Sequence, residues 1–282
     1  MLWKLKDRTV DLGRSGVVMG VLNTTPDSFS DGGKYLNQDA ALQHASEMIS
    51  EGAAILDIGG ESSRPGADPV PVEEEIGRVI PTLRIVRSAF PGIILSVDTM
   101  KSATAREALL AGADIINDIS AATADPEMAA VLKESGAGII LMHMQGTPKT
   151  MQINPTYSDV VAEVFEFLKQ RTEALVDQGI DRQCVAIDPG YCFGKLLAHN
   201  ISLVRNLKKF KEIRRPIVVG VSKKSMIPQL LSQPRLPMKD RIWPTVAFTS
   251  ILREEGAHVF RVHEVKPNVD ALRMTEAILF DE

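Results

Sequence analysis

Short runs of β-branched and other apolar residues alternate along the chain with longer stretches in which apolar positions recur every three or four residues. The first pattern suits buried strands and the second amphipathic helices, and their alternation predicts repeated βα units around a parallel sheet. The strand-like runs cover Val17 to Asn23, Ala54 to Gly59, Ile93 to Asp98, Ile115 to Ile119, Gly138 to His143, Val185 to Asp188, Ile217 to Ser222 and Val259 to His263. Helical periodicity follows each of them, over Gln38 to Ser50, Glu73 to Ala89, Ser102 to Ala111, Pro126 to Glu134, Ser158 to Gln178, Asn200 to Ile213, Arg241 to Glu254 and Asn268 to Leu279. Eight strands, each trailed by a helix, predict an α/β fold closed into a single (β/α)8 barrel.

Several helical stretches end in Gly-Ala, at Gly52, Gly112, Gly136 and Gly256, where glycine permits the left-handed turn that stops a helix before the next strand. No linker, low-complexity tract or long charge run divides the 282 residues, so one domain over 1–282 is expected. A barrel of about 250 residues would use nearly all of that length. Composition agrees with a globular chain, at 44% hydrophobic and 24% charged. The net charge of −4 provides no broad basic field, which argues against a nucleic-acid partner and leaves any anion to local groups.

No apolar run reaches the roughly 20 residues of a membrane span, and the charged start from Met1 to Leu12 predicts neither a signal peptide nor an anchor. Cys184 and Cys192 are too few for a disulfide framework and match no zinc spacing. Both are expected to be free thiols in a reducing, cytoplasmic compartment.

A barrel of this kind places its active site at the C-terminal ends of the strands. Every strand end here is polar: Asn23, Asp57 leading to Glu61, Asp98, Asn117 with Asp118, His143, Asp188, Ser222 with Lys223 and Lys224, and Arg261 with His263. Any one of these could be a helix cap or a solvated loop residue. Together they form one polar funnel. Asp98, Asn117 and Asp188 supply acceptors and an amide suited to a planar ring edge, whereas Lys224, Arg261 and His263 supply cations and donors suited to phosphate. Arg261 and His263 are two apart on a strand and project to the same side, so both can address one anion. Lys224 near a helix start adds backbone amides of the same preference.

Long loops follow the first and second strands. The stretch Thr24 to Gly33 is rich in turn formers yet carries Phe29 at its centre, and reads as a mobile lid. The stretch Gly59 to Gly66 combines glycines and hydroxyls with Arg64, a guanidinium able to clasp a carboxylate. Met142 and Met144 flank His143, where polarizable side chains can lie against an aromatic ligand, although Met144 is expected in core packing. His44, His199 and His258 read as surface or packing residues.

Four segments carry a further signal: Asn23 to Gly33 (NTTPDSFSDGG), Gly59 to Gly66 (GGESSRPG), Asp188-Pro189-Gly190 through Phe193-Gly194-Lys195, and Arg261-Val262-His263. In this order, over Val17 to Leu279, they resemble the dihydropteroate synthase family. That resemblance implies a pterin-binding barrel that condenses (7,8-dihydropterin-6-yl)methyl diphosphate with 4-aminobenzoate, uses Mg2+, is inhibited by sulfonamides and forms a homodimer. It places a pterin site on Asp98, Asn117, Ile119, Met142, Asp188, Phe193, Gly220 and Lys224. Diphosphate falls on Asn23, Arg261 and His263, with Asn23 also at the metal, and 4-aminobenzoate on Phe29, Ser63, Arg64, Pro65, Phe193, Ser222 and Lys224. Asp98, Lys224, Arg261 and His263 are the residues expected to carry the chemistry.

The chain departs from the family pattern at Ser63 for threonine, Lys223 for arginine and Glu264 for aspartate. Tyr191-Cys192 precedes Phe193 where a glycine is usual, which leaves the backbone there open, and Pro244 predicts a helix start nearby. Two rivals share the barrel: a pterin-dependent methyltransferase, which needs no diphosphate clamp, and a non-catalytic pterin-binding paralogue. Coupled release of diphosphate and dihydropteroate separates them.

Overall fold

The computed structural model describes residues 1–24 and 34–280, the side chains of residues 34–37 excepted. Eight of its strands run parallel: β3 (Val17–Asn23), β4 (Ile55–Gly59), β5 (Ile94–Asp98), β6 (Ile115–Asp118), β7 (Gly138–Met142), β8 (Val185–Asp188), β9 (Val218–Val219) and β10 (Val259–Val262). They are ordered β8-β7-β6-β5-β4-β3-β10-β9, and a parallel bridge between Ile187 and Ile217 closes the ring. The expected (β/α)8 barrel is therefore present.

The helices α1 (Lys34–Ser50), α2 (Val72–Ala89), α3 (Ser102–Leu110), α4 (Met128–Ser135), α5 (Val160–Asp177), α6 (Leu197–Arg205), α7 (Met226–Leu230), α8 (Ile242–Glu254) and α9 (Val265–Phe280) surround it. Burial of their inner faces against the outward-facing strand residues, such as Leu22, Ile58, Val97, Ile116, Ile139 and Ile187, forms the main apolar layer. Fully burying each such side chain is worth about 1.5–3 kcal/mol.

Most boundaries shift by a few residues, and two differences go further. The stretch from Asn200 to Ile213 divides into α6 and a 3-10 turn over Leu207–Ile213. The seventh strand contracts to Val218–Val219 because the chain turns at Lys224, whose N–H donates to the Val221 carbonyl, with Lys223 in the left-handed region. The four helix-ending glycines all take positive φ, as their positions imply. Pro244 lies in the first turn of α8, where its missing N–H costs no hydrogen bond.

An antiparallel hairpin, β1 (Leu2–Leu5) with β2 (Arg8–Asp11), precedes the barrel. Its alternation turns Trp3 and Leu5 inward, and these two with Leu12 pack onto Met19, Ile55, Ile94, Ile115, Ile140, Ala186, Val218 and Val259. Those are inward-facing residues near the N-terminal ends of the barrel strands, so the hairpin plugs the bottom. The Trp3 indole N–H is satisfied by the Cys184 carbonyl at 2.9 Å. Both cysteines are buried free thiols.

Candidate active site

Strand register brings distant residues onto one ring at the C-terminal mouth: Asn23 pairs with Gly59, Gly59 with Asp98, and Asp98 with Asn117. Side chains alternate along a strand, so Asp57, two residues before Gly59, also faces inward and lies one layer deeper. One oxygen of Asp57, Oδ2, accepts from Arg261 Nε at 2.6 Å and from Asn117 Nδ2 at 3.1 Å. Arg261 Nη2 donates to Asp98 Oδ2 at 2.9 Å. The guanidinium thus spans the mouth from β10 to β4 and β5, held by two carboxylates.

Electrostatics follow from this depth. Burial pushes the Asp98 carboxyl up to about 7; Arg261 opposes that shift, while Asp57, Glu75 and Asp118 add to it. Asp188 is also raised by burial, against the pull of Lys224 and a 2.7 Å bond from the Gly190 N–H. Arg261 is held still more firmly charged than usual, its desolvation outweighed by Asp57 and Asp98.

Lys224 belongs to the same space, although not through a helix terminus. Its Nζ donates to the Tyr191 carbonyl at 2.7 Å and lies 4.5 Å from the centre of the Phe193 ring. The five-residue α7 begins two positions later, and the ammonium turns back across the mouth instead. Burial lowers its pKa. Phe193 joins Ile119, Met142 and Met151 in an apolar cluster with Met100 and Met144 against it, a slab beside the polar ring. Gly220 leaves the Lys224 and Arg261 side chains close by: a Cβ there would stand 3.8 Å from Lys224 Nζ.

His263 corrects an expectation. Burial first, then the neighbouring Arg261, Lys223, Arg64 and Lys224, lower its pKa to about 3, so at neutral pH it is an uncharged ring and not a cation. Its Nδ1 is 2.9 Å from Ser222 Oγ, which also accepts from the His263 backbone N–H at 3.2 Å.

His143 and Asp118 leave the funnel altogether. Each follows an inward residue, Met142 or Asn117, and so points the other way. His143 packs edge-on against Phe167, with ring centres 4.9 Å apart, and Asp118 accepts from Ser120 and Ala122 N–H groups at 2.7 and 3.2 Å to shape the following turn.

The second loop is anchored from below. Glu61 and Glu75 share the Lys101 ammonium, Thr104 Oγ1 donates to Glu75 at 2.9 Å, and Arg78 donates to the Gly60 carbonyl at 2.8 Å. Ser63 lines a recess with Asp98, Thr99, Met100 and Ile119. Arg64 and Pro65 stand exposed above it. Phe29 and the rest of the first loop, 25–33, lie outside the described residues, and so does the lid reading.

Around Phe193 the backbone keeps a glycine-like shape without the glycine, since Cys192 takes φ 66°, a conformation costing about 1–2 kcal/mol for a residue with a side chain. Its N–H is held by Asn200 Oδ1 at 2.7 Å. Gly190 has no alternative: a Cβ there would come within 1.9 Å of the His143 carbonyl oxygen. Buried Lys195 donates to the carbonyls of Gly190 and Phe193 at 2.9 and 3.0 Å, fastening the loop from beneath. Two departures from the family pattern meet each other, because Lys223 and Glu264 form an ion pair.

The sequence places Asp57 among the polar strand ends without a ligand of its own, and gives no signal for Met100 or Lys101. Asp57 was visible by parity with Gly59; Lys101 carried no signal, because its partners come from a loop and another helix.

A ring of acceptors and an amide beside an apolar slab, with fixed cations across it, at the C-terminal mouth of a (β/α)8 barrel, is the layout of a barrel enzyme with chemistry suited to a flat, nitrogen-rich ring. The sequence pattern of the family described as pterin-binding enzyme matches residues 19–263. The dihydropteroate synthase of Escherichia coli (strain K12) is 45% identical over 262 residues, 93% of this chain and 91% of that protein. Among solved structures, the Xanthomonas albilineans dihydropteroate synthase with 4-aminobenzoic acid superposes at a TM-score of 0.92, with 40% identity over 100% of this chain and 99% of that one. The Yersinia pestis enzyme with a sulfonamide drug complex gives 0.91 and 43%, covering 99% of each chain. This chain belongs to the pterin-binding enzymes and, within them, to the dihydropteroate synthase family.

Proposed function

We propose that this mouth takes (7,8-dihydropterin-6-yl)methyl diphosphate and 4-aminobenzoate and joins them, releasing diphosphate, as a transferase of folate biosynthesis. The observation that carries this reading is the set of buried Asn117 and Asp188 and largely buried Asp98 beside the Ile119, Met142 and Phe193 slab, with Lys224 and Arg261 across it. Carboxylates and an amide match the amino and ring N–H groups of a pterin, Lys224 donates to its ring acceptors, and Gly220 leaves space beside them.

The C–O bond to diphosphate breaks first, because the electron-rich dihydropterin spreads the positive charge left on its methylene carbon. The arylamine nitrogen then forms the new C–N bond and gives up a proton to the released diphosphate or to water. Asp98 balances the developing cation, while Arg261 Nη1 and the neutral His263 ring face the departing oxygens. Ser63, Arg64, Pro65 and Ser222 hold the 4-aminobenzoate, with the carboxylate on Arg64.

Asn23 fits a Mg2+ site of the kind that takes one protein oxygen and completes its shell with phosphate and water, since its amide oxygen stands at the mouth beside Gly59. Bound there, Mg2+ would supply charge neutralisation for the diphosphate.

The same reading makes the chain one domain, supported by a single sheet that draws on residues 17 to 262. It also makes it a homodimer. Supporting that, Trp243 and Ile251 on α8 and Met274 and Ile278 on α9, two helices packed together, are 73%, 47%, 67% and 74% exposed. Two free thiols favour a cytoplasmic setting, and among the described residues no helix is long and apolar enough to cross a membrane. The chemistry of Arg64 and Phe193 extends the site to sulfonamides, which imitate 4-aminobenzoate.

Incubating the pure chain with both substrates tests the reading. Dihydropteroate and diphosphate should appear in equal amounts, and absence of coupled diphosphate release overturns it.

A further inference from the structure

Asp57 is fully buried, yet only one of its oxygens is used. Oδ2 carries both bonds, from Arg261 Nε and Asn117 Nδ2, while Oδ1 has no partner among the described residues. A buried carboxylate with an unmatched oxygen is an arrangement that stability alone does not reward, because the desolvation of the charge is only partly returned. The geometry points to Asp57 as the positioning residue of this mouth, a single carboxylate that sets the phosphate-facing Arg261 and the ring-facing Asn117 in fixed relation to each other.

This inference rests on the pterin diphosphate reading above. Asp57 sits a layer below the ring of Asn23, Gly59, Asp98 and Asn117, and so acts through its two partners. Arg261 has carboxylates on both sides, Asp57 at Nε and Asp98 at Nη2. Without Asp57 the guanidinium is free to swing toward Asp98 and the mouth, and the Asn117 amide loses its acceptor. The charged and titratable groups that act on Asp98 are Arg261, Asp57 and Glu75, with outward-pointing Asp118 behind it, Lys224 across the mouth and Glu61 and Lys101 in the adjoining recess. Of these, Asp57 alone shares Arg261 with it. Taking away its charge removes a repulsion and leaves Asp98 the undivided attention of the cation.

Two variants separate the effects. Asp57→Asn keeps an acceptor for both donors and loses the charge; Asp57→Ala loses both. In steady-state assays, Asp57→Ala should raise KM for the pterin diphosphate by about tenfold or more and leave KM for 4-aminobenzoate within about twofold. Asp57→Asn should keep both KM values within about threefold and move the acidic limb of kcat/KM for the pterin diphosphate down by about half a pH unit or more. A KM for the pterin diphosphate unchanged in Asp57→Ala, equal rises in both KM values, or an unmoved acidic limb in Asp57→Asn would each overturn the inference. Thermal melts report folding. If the alanine variant does not fold, the acidic limb of the nearly isosteric asparagine variant decides alone. Should the wild-type chain itself release no diphosphate, the functional reading fails first; if wild type is active and the variants match it, only the role of Asp57 fails.

Discussion

The two ends of the barrel are made by the same eight strands and solve opposite problems. At the bottom, Trp3, Leu5 and Leu12 meet a ring of aliphatic residues, and the polar atom brought with them, the Trp3 N–H, is paired. At the mouth, Asp57, Asp98, Asn117, Asp188, Lys224 and Arg261 are crowded together, with carboxyl groups raised by burial and one oxygen unmatched. The lower end stabilises the fold; the upper end costs stability and is held in place by the lower. A rigid apolar base is what allows charged groups above to be kept at fixed separations.

The largest way to break this contrast is Trp3→Ala, which should lower stability by about 3–5 kcal/mol in chemical denaturation while leaving KM for both substrates nearly unchanged. A large loss of substrate affinity at full stability would mean that the base has a direct part in binding. At the other end, Arg261→Ala should reduce kcat/KM by about two to three orders of magnitude, seen by diphosphate release, because it removes a donor to the leaving group and strands Asp57 and Asp98 together.

The pH dependence is smaller. With its carboxyl pushed up to about 7, Asp98 is neutral below that value and anionic above it. Pterin N–H groups need the anion, so affinity measured by calorimetry should rise by up to about tenfold per unit as pH approaches 7 and level off above it. For stability the sign is opposite: a value raised above 3.8 contributes stabilisation fully present below about 3.8 and lost as pH rises through 7. Binding that weakens across the same window would remove Asp98 from the ring edge. The smallest effect is expected at the rim, where a double-mutant cycle on Lys223 and Glu264 should give a coupling of about 0.5–1 kcal/mol in thermal melts.

Much of the barrel was legible, because β3 and β8 match their apolar runs to the residue and the others differ by one residue at one end, except β9. The hairpin was not recognised, since its two strands are four residues each and their alternation is short against a charged start. At the mouth, residue type was readable and direction less so. Counting every polar strand end put His143 and Asp118 into the funnel, although period-two alternation next to Met142 and Asn117 sends both outward. The charge state of His263 depends first on its burial, and then on Arg261 of its own strand together with Lys223, Arg64 and Lys224 from two other segments, which no local pattern contains in full. Cys192 shows the converse: a missing glycine signalled a different backbone, yet the chain keeps the left-handed turn because Asn200 and Lys195 hold it on either side.

Sealed below by the hairpin, the barrel is a well with one opening. Asp57 lies one layer below the ring of Asp98 and Asn117, and Arg64 stands exposed at the lip. On the reading proposed above, a single opening means that the deeper-lying ring enters before the arylamine that sits over it, and that the joined product leaves by the path on which its second half came in.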